Sequence, residues 1–326
     1  MSRIYYGKRE KIKADLIIAD RVLADLYPEQ FDEDTVFLKA GEKAKSFKNI
    51  KKLIRVMAER GLDRHSRVII YGGGTITDMA SFASSIYMRG IRHDIVPTTF
   101  LGMVDASIGG KTGINFNGTK NLVGSFYEPE NIYIDTDFIL TESNWSFKNG
   151  AVEAIKMALL FNYKLFLKIE NKMEDFVDSN KKISLARALA RFSSEQKQII
   201  TSNDLKENNF RVLLNAGHTV AHALEIASDY SISHGKAVAI GLIIEHRLAG
   251  YEDISDRLSS IFSKLFEEDM EYEIKSIRHM ELDFSNDKKS DGNNIILPLV
   301  KIENGKSSPF LASVDKKEFE NAIKLL

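Results

Sequence analysis

The chain reads as an α/β domain followed by a mostly α-helical one, and three observations lead there. Through the first 140 residues, short apolar runs rich in Ile and Val alternate with amphipathic helical stretches. Past Asn144 the alternation stops, and residues 150–200 carry only helical periodicity with charged faces. No proline lies between Pro129 and Pro298, so this half lacks the residue that most often interrupts a helix.

Taken in order, residues 15–20 (DLIIAD) form a short buried strand and residues 35–39 (TVFLK) a second. Residues 48–60 have helical spacing and end at Gly61. Residues 66–71 (SRVIIY) are a strand running into Gly72-Gly73-Gly74, and residues 77–88 are helical. Strands at 93–97 and 131–135 complete the set. Such alternation builds a mostly parallel sheet covered by helices. The character changes at 141–147, which predicts domains at 1–143 and 144–326. In the second half, 283–294 reads as a polar loop, Ile295-Ile296-Leu297 as a short extended piece, and 316–326 as a terminal helix.

Composition narrows the function. At 326 residues the chain exceeds one core. A net charge of -1 supplies no global field for nucleic acid or anionic lipid, so neither is expected as a partner. The absence of cysteine excludes disulfides and thiolate metal sites. No apolar run is long enough for a bilayer span, and residues 1–8 do not look like a signal peptide. A cytoplasmic protein is expected.

Three of the seven histidines fall within 17 residues, in Asn215-Ala216-Gly217-His218-Thr219-Val220-Ala221-His222 and Ser233-His234-Gly235. His218 and His222 share a helix face at a spacing of four. Gathered neutral imidazoles suit a divalent metal such as zinc, and a catalytic site also wants a carboxylate and an open position. Glu153, in Gly150-Ala151-Val152-Glu153-Ala154-Ile155-Lys156, is the best candidate. Alone, a His-x3-His pair is equally two polar residues on a helix face.

Two glycine-rich stretches carry further chemistry. Gly72-Gly73-Gly74-x3-Asp78 joins a strand to a helix, where backbone N–H groups and the helix N-terminus favour a phosphate. By itself such a turn is as often a tight connection. Residues 97–113 hold adjacent Thr98 and Thr99, Asp105, four glycines and Lys111, with Lys120-Asn121 close behind. Glycines and lysines in one stretch suit a loop that wraps a phosphorylated ligand. Arg89 ends the helix after the Gly-rich turn, and its default partner is that helix C-terminus.

Together these segments resemble the 3-dehydroquinate synthase family. The likeness runs over most of the chain and is carried by Tyr87-Met88-Arg89-Gly90, Pro97-Thr98-Thr99, Gly109-Gly110-Lys111-Thr112-Gly113-Ile114-Asn115, Lys120-Asn121, Ile134-Asp135-Thr136-Asp137, Glu153-Ala154-Ile155-Lys156, Leu214-Asn215-Ala216-Gly217-His218-Thr219 and Ser233-His234-Gly235. Several motifs in register are far more specific than any one.

The resemblance implies an N-terminal Rossmann-like NAD-binding domain followed by an α-helical metal-binding domain. It implies a lyase of aromatic precursor synthesis, turning 3-deoxy-D-arabino-heptulosonate 7-phosphate into 3-dehydroquinate and phosphate. A ring hydroxyl is oxidised by NAD, phosphate is eliminated, the hydride returns, and an intramolecular aldol step closes the carbocycle. The implied ligands of zinc or cobalt are Glu153, His218 and His234, with His222 beside them as a substrate or phosphate contact rather than a ligand. The implied substrate pocket holds Lys111, Asn121, Lys156, Lys197, Arg211, Asn215 and one of Lys288 or Lys289, with Asp105 and Glu207 as carboxylates. Arg89 matches an arginine that serves the neighbouring subunit, which implies a homodimer. The implied NAD contacts are Glu42, Lys45, Gly73, Gly74, Asp78, Thr98, Thr99, Lys111, Lys120 and Thr141.

Some positions depart from the family pattern. Thr77 stands where another Gly is usual, and its Cβ is expected to crowd a pyrophosphate. Val22 replaces a common Asn, Asn209 a common Gly, and Ala216 an aromatic residue. Three other activities stay open: a related sugar phosphate cyclase, a metal-dependent polyol or glycerol phosphate dehydrogenase, and an inactive binding module. The lysines and arginine favour an anionic substrate.

Overall fold

In the computed structural model, which describes residues 1–8, 12–178, 181–204, 210–284 and 293–326, the apolar runs of the N-terminal half form a parallel sheet. Its strands are β1 (Arg3–Tyr6), β2 (Leu16–Asp20), β3 (Val36–Leu38), β4 (Arg67–Gly72), β5 (Arg92–Pro97) and β8 (Asn131–Ile134), in the order β1-β8-β5-β4-β2-β3. All five neighbouring pairs are parallel, with Ile17 opposite Ile69 and Ile70 opposite Ile95. Residues 68–72 of β4 are buried without a break. That suits a central strand covered on both faces and explains its unalternating apolar sequence. The remaining strands, β6 (Lys111–Phe116) and β7 (Thr119–Phe126), pair as a separate antiparallel hairpin.

Helices α1 (Leu23–Leu26), α2 (Phe47–Glu59) and α3 (Gly74–Ile86) belong to the same unit, Met1–Phe147. α2 buries Ile50, Leu53 and Met57 at helical spacing. α3 packs on β4 and on the β6–β7 hairpin. The strand order reverses between β2 and β4, since β3 flanks β2 on one side while β4 and β5 lie on the other. Crevices at such a reversal, at the carboxyl ends of the strands, are where doubly wound sheets bind ligands.

Two expectations need correction here. Residues 97–113 do not form an open loop. Residues 100–106 are helical, with a π-type turn over Gly102–Ala106 closed by Ser107 N donating to Gly102 O at 3.2 Å. Phe100, Met103 and Val104 are fully buried. Their spacing is that of one apolar helical face, which the glycines and polar residues around it obscured. The helix expected from Thr77 starts at Gly74, because the glycine turn itself is its first turn.

The second unit, Lys148–Leu326, contains most of α4 (Asn144–Phe161), then α5 (Tyr163–Asn171), α6 (Met173–Val177), α7 (Lys182–Asn203), α8 (His218–Ala227), α9 (His234–Leu248), α10 (Glu252–Phe266), α11 (Met270–Ser276) and α12 (Lys316–Leu325). Residues 237–244 of α9 are apolar and buried on every side, as an all-round apolar helix must be. Around it pack α8, α10, α11, α12 and strand β9. The extended piece expected at Ile295-Ile296-Leu297 is longer. β9 (Asn294–Glu303) and β10 (Lys306–Asp315), ten residues each, form an antiparallel hairpin. Pro298 lies within β9, which a two-stranded ribbon allows because it has only edges, where Pro is tolerated. Among the described residues no helix is long and apolar enough to cross a membrane.

Candidate functional site

Glu153 lies in the middle of α4 and is 2% exposed. A carboxylate that deep requires counter-charge. Lys156, one turn on, places Nζ 2.5 Å from Glu153 Oε2 and also donates to the Leu214 carbonyl at 2.5 Å. Nε2 of His218 and Nε2 of His234 stand 3.6 and 3.4 Å from the other oxygen, Oε1. Oε1 is buried yet accepts no hydrogen bond.

The far nitrogen of each ring faces an acceptor. His218 Nδ1 is 3.1 Å from the Ala216 carbonyl, and His234 Nδ1 is 3.7 Å from Glu225 Oε1. Metal-binding imidazoles are held in this way, with Nε2 turned inward. The three ligand atoms lie within 4.8 Å of one another. An unbonded, buried carboxylate oxygen facing two imidazole nitrogens fits a divalent cation that takes N and O ligands. His234 keeps 34% of its side chain exposed, so the set is open on one side, as a catalytic rather than a structural site is.

The charge state follows from these neighbours. Burial alone would raise the Glu153 carboxyl, but the Lys156 ammonium and then His234 outweigh it and hold the group below the ordinary range. Burial, reinforced by Lys156, holds His218 well below its ordinary value, so it is neutral and able to ligate. Burial also opposes charge on His234, but Glu153 and Glu225 raise it above its ordinary value. A divalent cation would supply that positive charge in the proton's stead.

Other expected residues of the second unit lie as follows. Lys197 on α7 and Arg211, seven residues before His218, are both buried. Arg211 N donates to Asp204 Oδ2 at 3.2 Å. Asn215 is half-buried. His222 is exposed, with its ring edge-on to His218 at 5.4 Å, and is outside the ligand cluster. Glu207, Asn209, Lys288 and Lys289 fall outside the described residues.

In the first unit the expected nucleotide residues meet one edge of the sheet. Glu42 and Lys45 follow β3, Gly73 and Gly74 follow β4, Thr98 and Thr99 follow β5, and Thr141 comes a turn beyond β8. All of these sit at carboxyl ends of parallel strands. Buried Lys45 lies 2.7 Å from Asp78 Oδ2 and donates to Asn121 Oδ1. Asn115, which the sequence reading did not single out, ties this group together. Its Nδ2 donates to Glu42 Oε2 at 2.8 Å, and its Oδ1 accepts from Asn121 N at 2.9 Å. A pocket of about 630 Å³ opens beside Leu38, Lys39, Gly41, Glu42 and Asn49, a size typical of small-molecule sites.

Thr77 is buried, and its hydroxyl donates to Gly74 O at 3.1 Å. The side chain is thus bonded into its own helix. Val22 is exposed just beyond β2. Lys111 is exposed at the start of β6, while Lys120 and Asn121 lie on β7. Asp105, half-buried, occupies the π-type turn, a local geometry common at functional sites. Arg89 is exposed just past α3 with φ of 68°.

The family signature described as 3-dehydroquinate synthase N-terminal matches residues 35–149, and that described as 3-dehydroquinate synthase C-terminal matches residues 150–290. A 3-dehydroquinate synthase of Dictyoglomus thermophilum is 37% identical over 97% of this chain and 90% of its own length. The chain belongs to the 3-dehydroquinate synthase family. Among solved structures, 2-epi-5-epi-valiolone synthase from Streptomyces hygroscopicus, described with NAD+ and Zn2+ bound, is 25% identical with a TM-score of 0.81, covering 99% of this chain and 96% of that one. A 2-deoxy-scyllo-inosose synthase, described with carbaglucose-6-phosphate, NAD+ and Co2+, is 24% identical with a TM-score of 0.75, covering 99% and 91%. These likenesses bear out the Rossmann-like domain followed by a helical one.

Proposed function

We propose that this chain is a 3-dehydroquinate synthase, a lyase converting 3-deoxy-D-arabino-heptulosonate 7-phosphate to 3-dehydroquinate and phosphate. The observation that carries the reading is the convergence of His218 and His234 on the unbonded oxygen of Glu153, in a chain of this family. NAD, held by the residues at the carboxyl ends of the parallel strands, would supply reversible hydride transfer. Glu153, His218 and His234 would hold a divalent cation, zinc or cobalt, which would supply Lewis acidity.

The chain's own residues do the rest. Lys156 pins Glu153 Oε2 so that Oε1 faces the imidazoles. Lys197 and Arg211, buried cations of the same unit, balance the charge of the carboxylate and phosphate that the substrate carries. His222, exposed beside His218, contacts the substrate or its phosphate. In the first unit, Glu42, Lys45 and Asp78, linked through Asn115 and Asn121, form the hydrogen-bonded group on which the nucleotide rests. The first glycines of α3 leave backbone N–H groups for its phosphates.

The domain division at 143/144, a cytoplasmic location and a homodimer belong to the same reading. Exposed Ile86, Met88 and Arg89 at the end of α3 favour the dimer, with Arg89 serving the partner subunit. A second reading, a related cyclase, draws on the fold shared with the valiolone and deoxyinosose synthases.

The test is phosphate release and dehydroquinate formation from the heptulosonate phosphate, with zinc or cobalt and substoichiometric NAD. Many turnovers per NAD are expected, because the hydride is returned in each cycle. No product from protein carrying both metal and NAD would transfer the search to the substrates of the related cyclases.

A further inference from the structure

His218 and His234 share one feature: each is the first residue of its helix. Two helix N-termini therefore meet at a cation site. The partial positive charge and unbonded amides there work against a cation. The fold answers with buried acceptors from neighbouring helices.

Glu245 lies three turns along α9 from His234 and is fully buried. Its carboxylate accepts from Gly217 N at 2.9 Å and from Val220 N at 3.1 Å, the amides one residue before and two residues after His218. Asn149 is buried one turn before Glu153 on α4. Its Oδ1 accepts from Gly235 N at 2.7 Å, the amide that follows His234. So α4 grips α9 through Asn149, and α9 grips α8 through Glu245. Lys156 of α4 closes the ring at the Leu214 carbonyl ahead of α8. The backbones approach too closely for slack. A Cβ on Gly235 would stand 2.5 Å from Asn149 Cα.

We infer that Glu245 and Asn149 are positioning residues of the metal centre. They occupy the amides beside His218 and His234, fix both imidazoles against Glu153, and, through Glu245, add the negative charge that offsets the α8 N-terminus. Neither belongs to the ligand set. The inference rests on the metal reading given above.

Co2+ binding to the metal-free full-length protein tests it, measured by competition with a chelator and by the visible absorption of bound Co2+. The variants are Glu245→Gln, Asn149→Ala and Asn149→Asp. Glutamine keeps the size of Glu245 but loses its charge and its second acceptor. Glu245→Gln and Asn149→Ala are expected to weaken Co2+ binding roughly 10- to 100-fold and to change the absorption band, with the far-ultraviolet circular dichroism of wild type. Asn149→Asp still accepts from Gly235 N and is expected to stay within about threefold of wild type. Wild-type Co2+ affinity in both Glu245→Gln and Asn149→Ala would overturn the inference, as would equal losses in Asn149→Ala and Asn149→Asp. Should Glu245→Gln not fold, the two Asn149 variants decide alone. Wild-type protein that takes up no Co2+ would sink the metal reading itself, and the inference with it.

Discussion

His246 and Glu153 are both buried ionisable groups of the second unit, and they resolve the cost of burial in opposite ways. Glu153 keeps its charge because Lys156 and His234 stand against it. His246 gives its charge up. Nδ1 lies 2.8 Å from the Leu242 carbonyl, and Nε2 accepts from Val300 N at 3.2 Å. That pair of bonds suits only the neutral ring protonated at Nδ1, and burial pushes its pKa down to about 4. With a folded value below the unfolded value of about 6.5, the unfolded chain binds the extra proton between those limits. Stability is therefore fully present above pH 6.5 and is lost as pH falls toward 4, by up to about 3 kcal/mol. His246→Gln can donate to Leu242 O and accept from Val300 N without titrating. Denaturation midpoints measured from pH 7 to pH 4 should fall less steeply in this variant than in wild type. Parallel curves would remove His246 as a cause. The chemistry of Glu153, His218 and His234 was readable in sequence because metal ligands must be of few residue types. Asn149 and Glu245 were not readable, since each acts on a backbone amide 86 or 28 residues away and any acceptor in the right place would serve.

α8 and α9 cross where neither helix has a side chain. Gly217, with φ of 77°, enters α8 in a left-handed conformation, and a Cβ there would meet Leu242 Cγ at 2.7 Å. A Cβ on Gly241 would stand 2.0 Å from the Gly217 carbonyl oxygen. The obstacle is backbone, which cannot rotate aside, so Gly241→Ala must push the helices apart. A cost near the top of the usual overpacking range, about 2–3 kcal/mol, is expected, and it falls on the crossing that sets His218 relative to His234. Thermal unfolding several degrees below wild type, with weaker Co2+ uptake, is the predicted result. An unchanged melting temperature would mean the crossing is looser than the geometry says. The same elements mark the limits of sequence reading. Residues 237–244 of α9 are apolar on every face, so their period could not reveal a partner. Residues 100–106 hid a helical face among glycines. The β9–β10 ribbon was legible only as Ile295-Ile296-Leu297, and it runs on through Pro298, a residue that a central strand would exclude but an edge accepts.

For the molecule as a whole, the order of motifs was the legible part. Residues expected to hold the nucleotide run from Glu42 to Thr141 and fall in the first unit, while the proposed ligands run from Glu153 to His234 and fall in the second. Topology supplies the reason on the first side: a parallel sheet delivers every carboxyl-end turn to one edge whatever the distance in sequence. On the second side the ligands come from three helices, and their convergence depends on packing that no local pattern encodes. This division has a measurable consequence. Removing the metal with a chelator, or by Glu153→Ala, takes away nothing from the nucleotide edge. NAD affinity, read by calorimetry, should stay within about threefold of wild type while phosphate release disappears. Metal should also stabilise the native state with the logarithm of its concentration, by about 2.7 kcal/mol at a hundredfold excess over its dissociation constant, and Glu153→Ala should abolish that gain. If stripping the metal instead abolished NAD binding, the nucleotide would need the metal in place, and the assignment of its contacts to the first unit alone would fall.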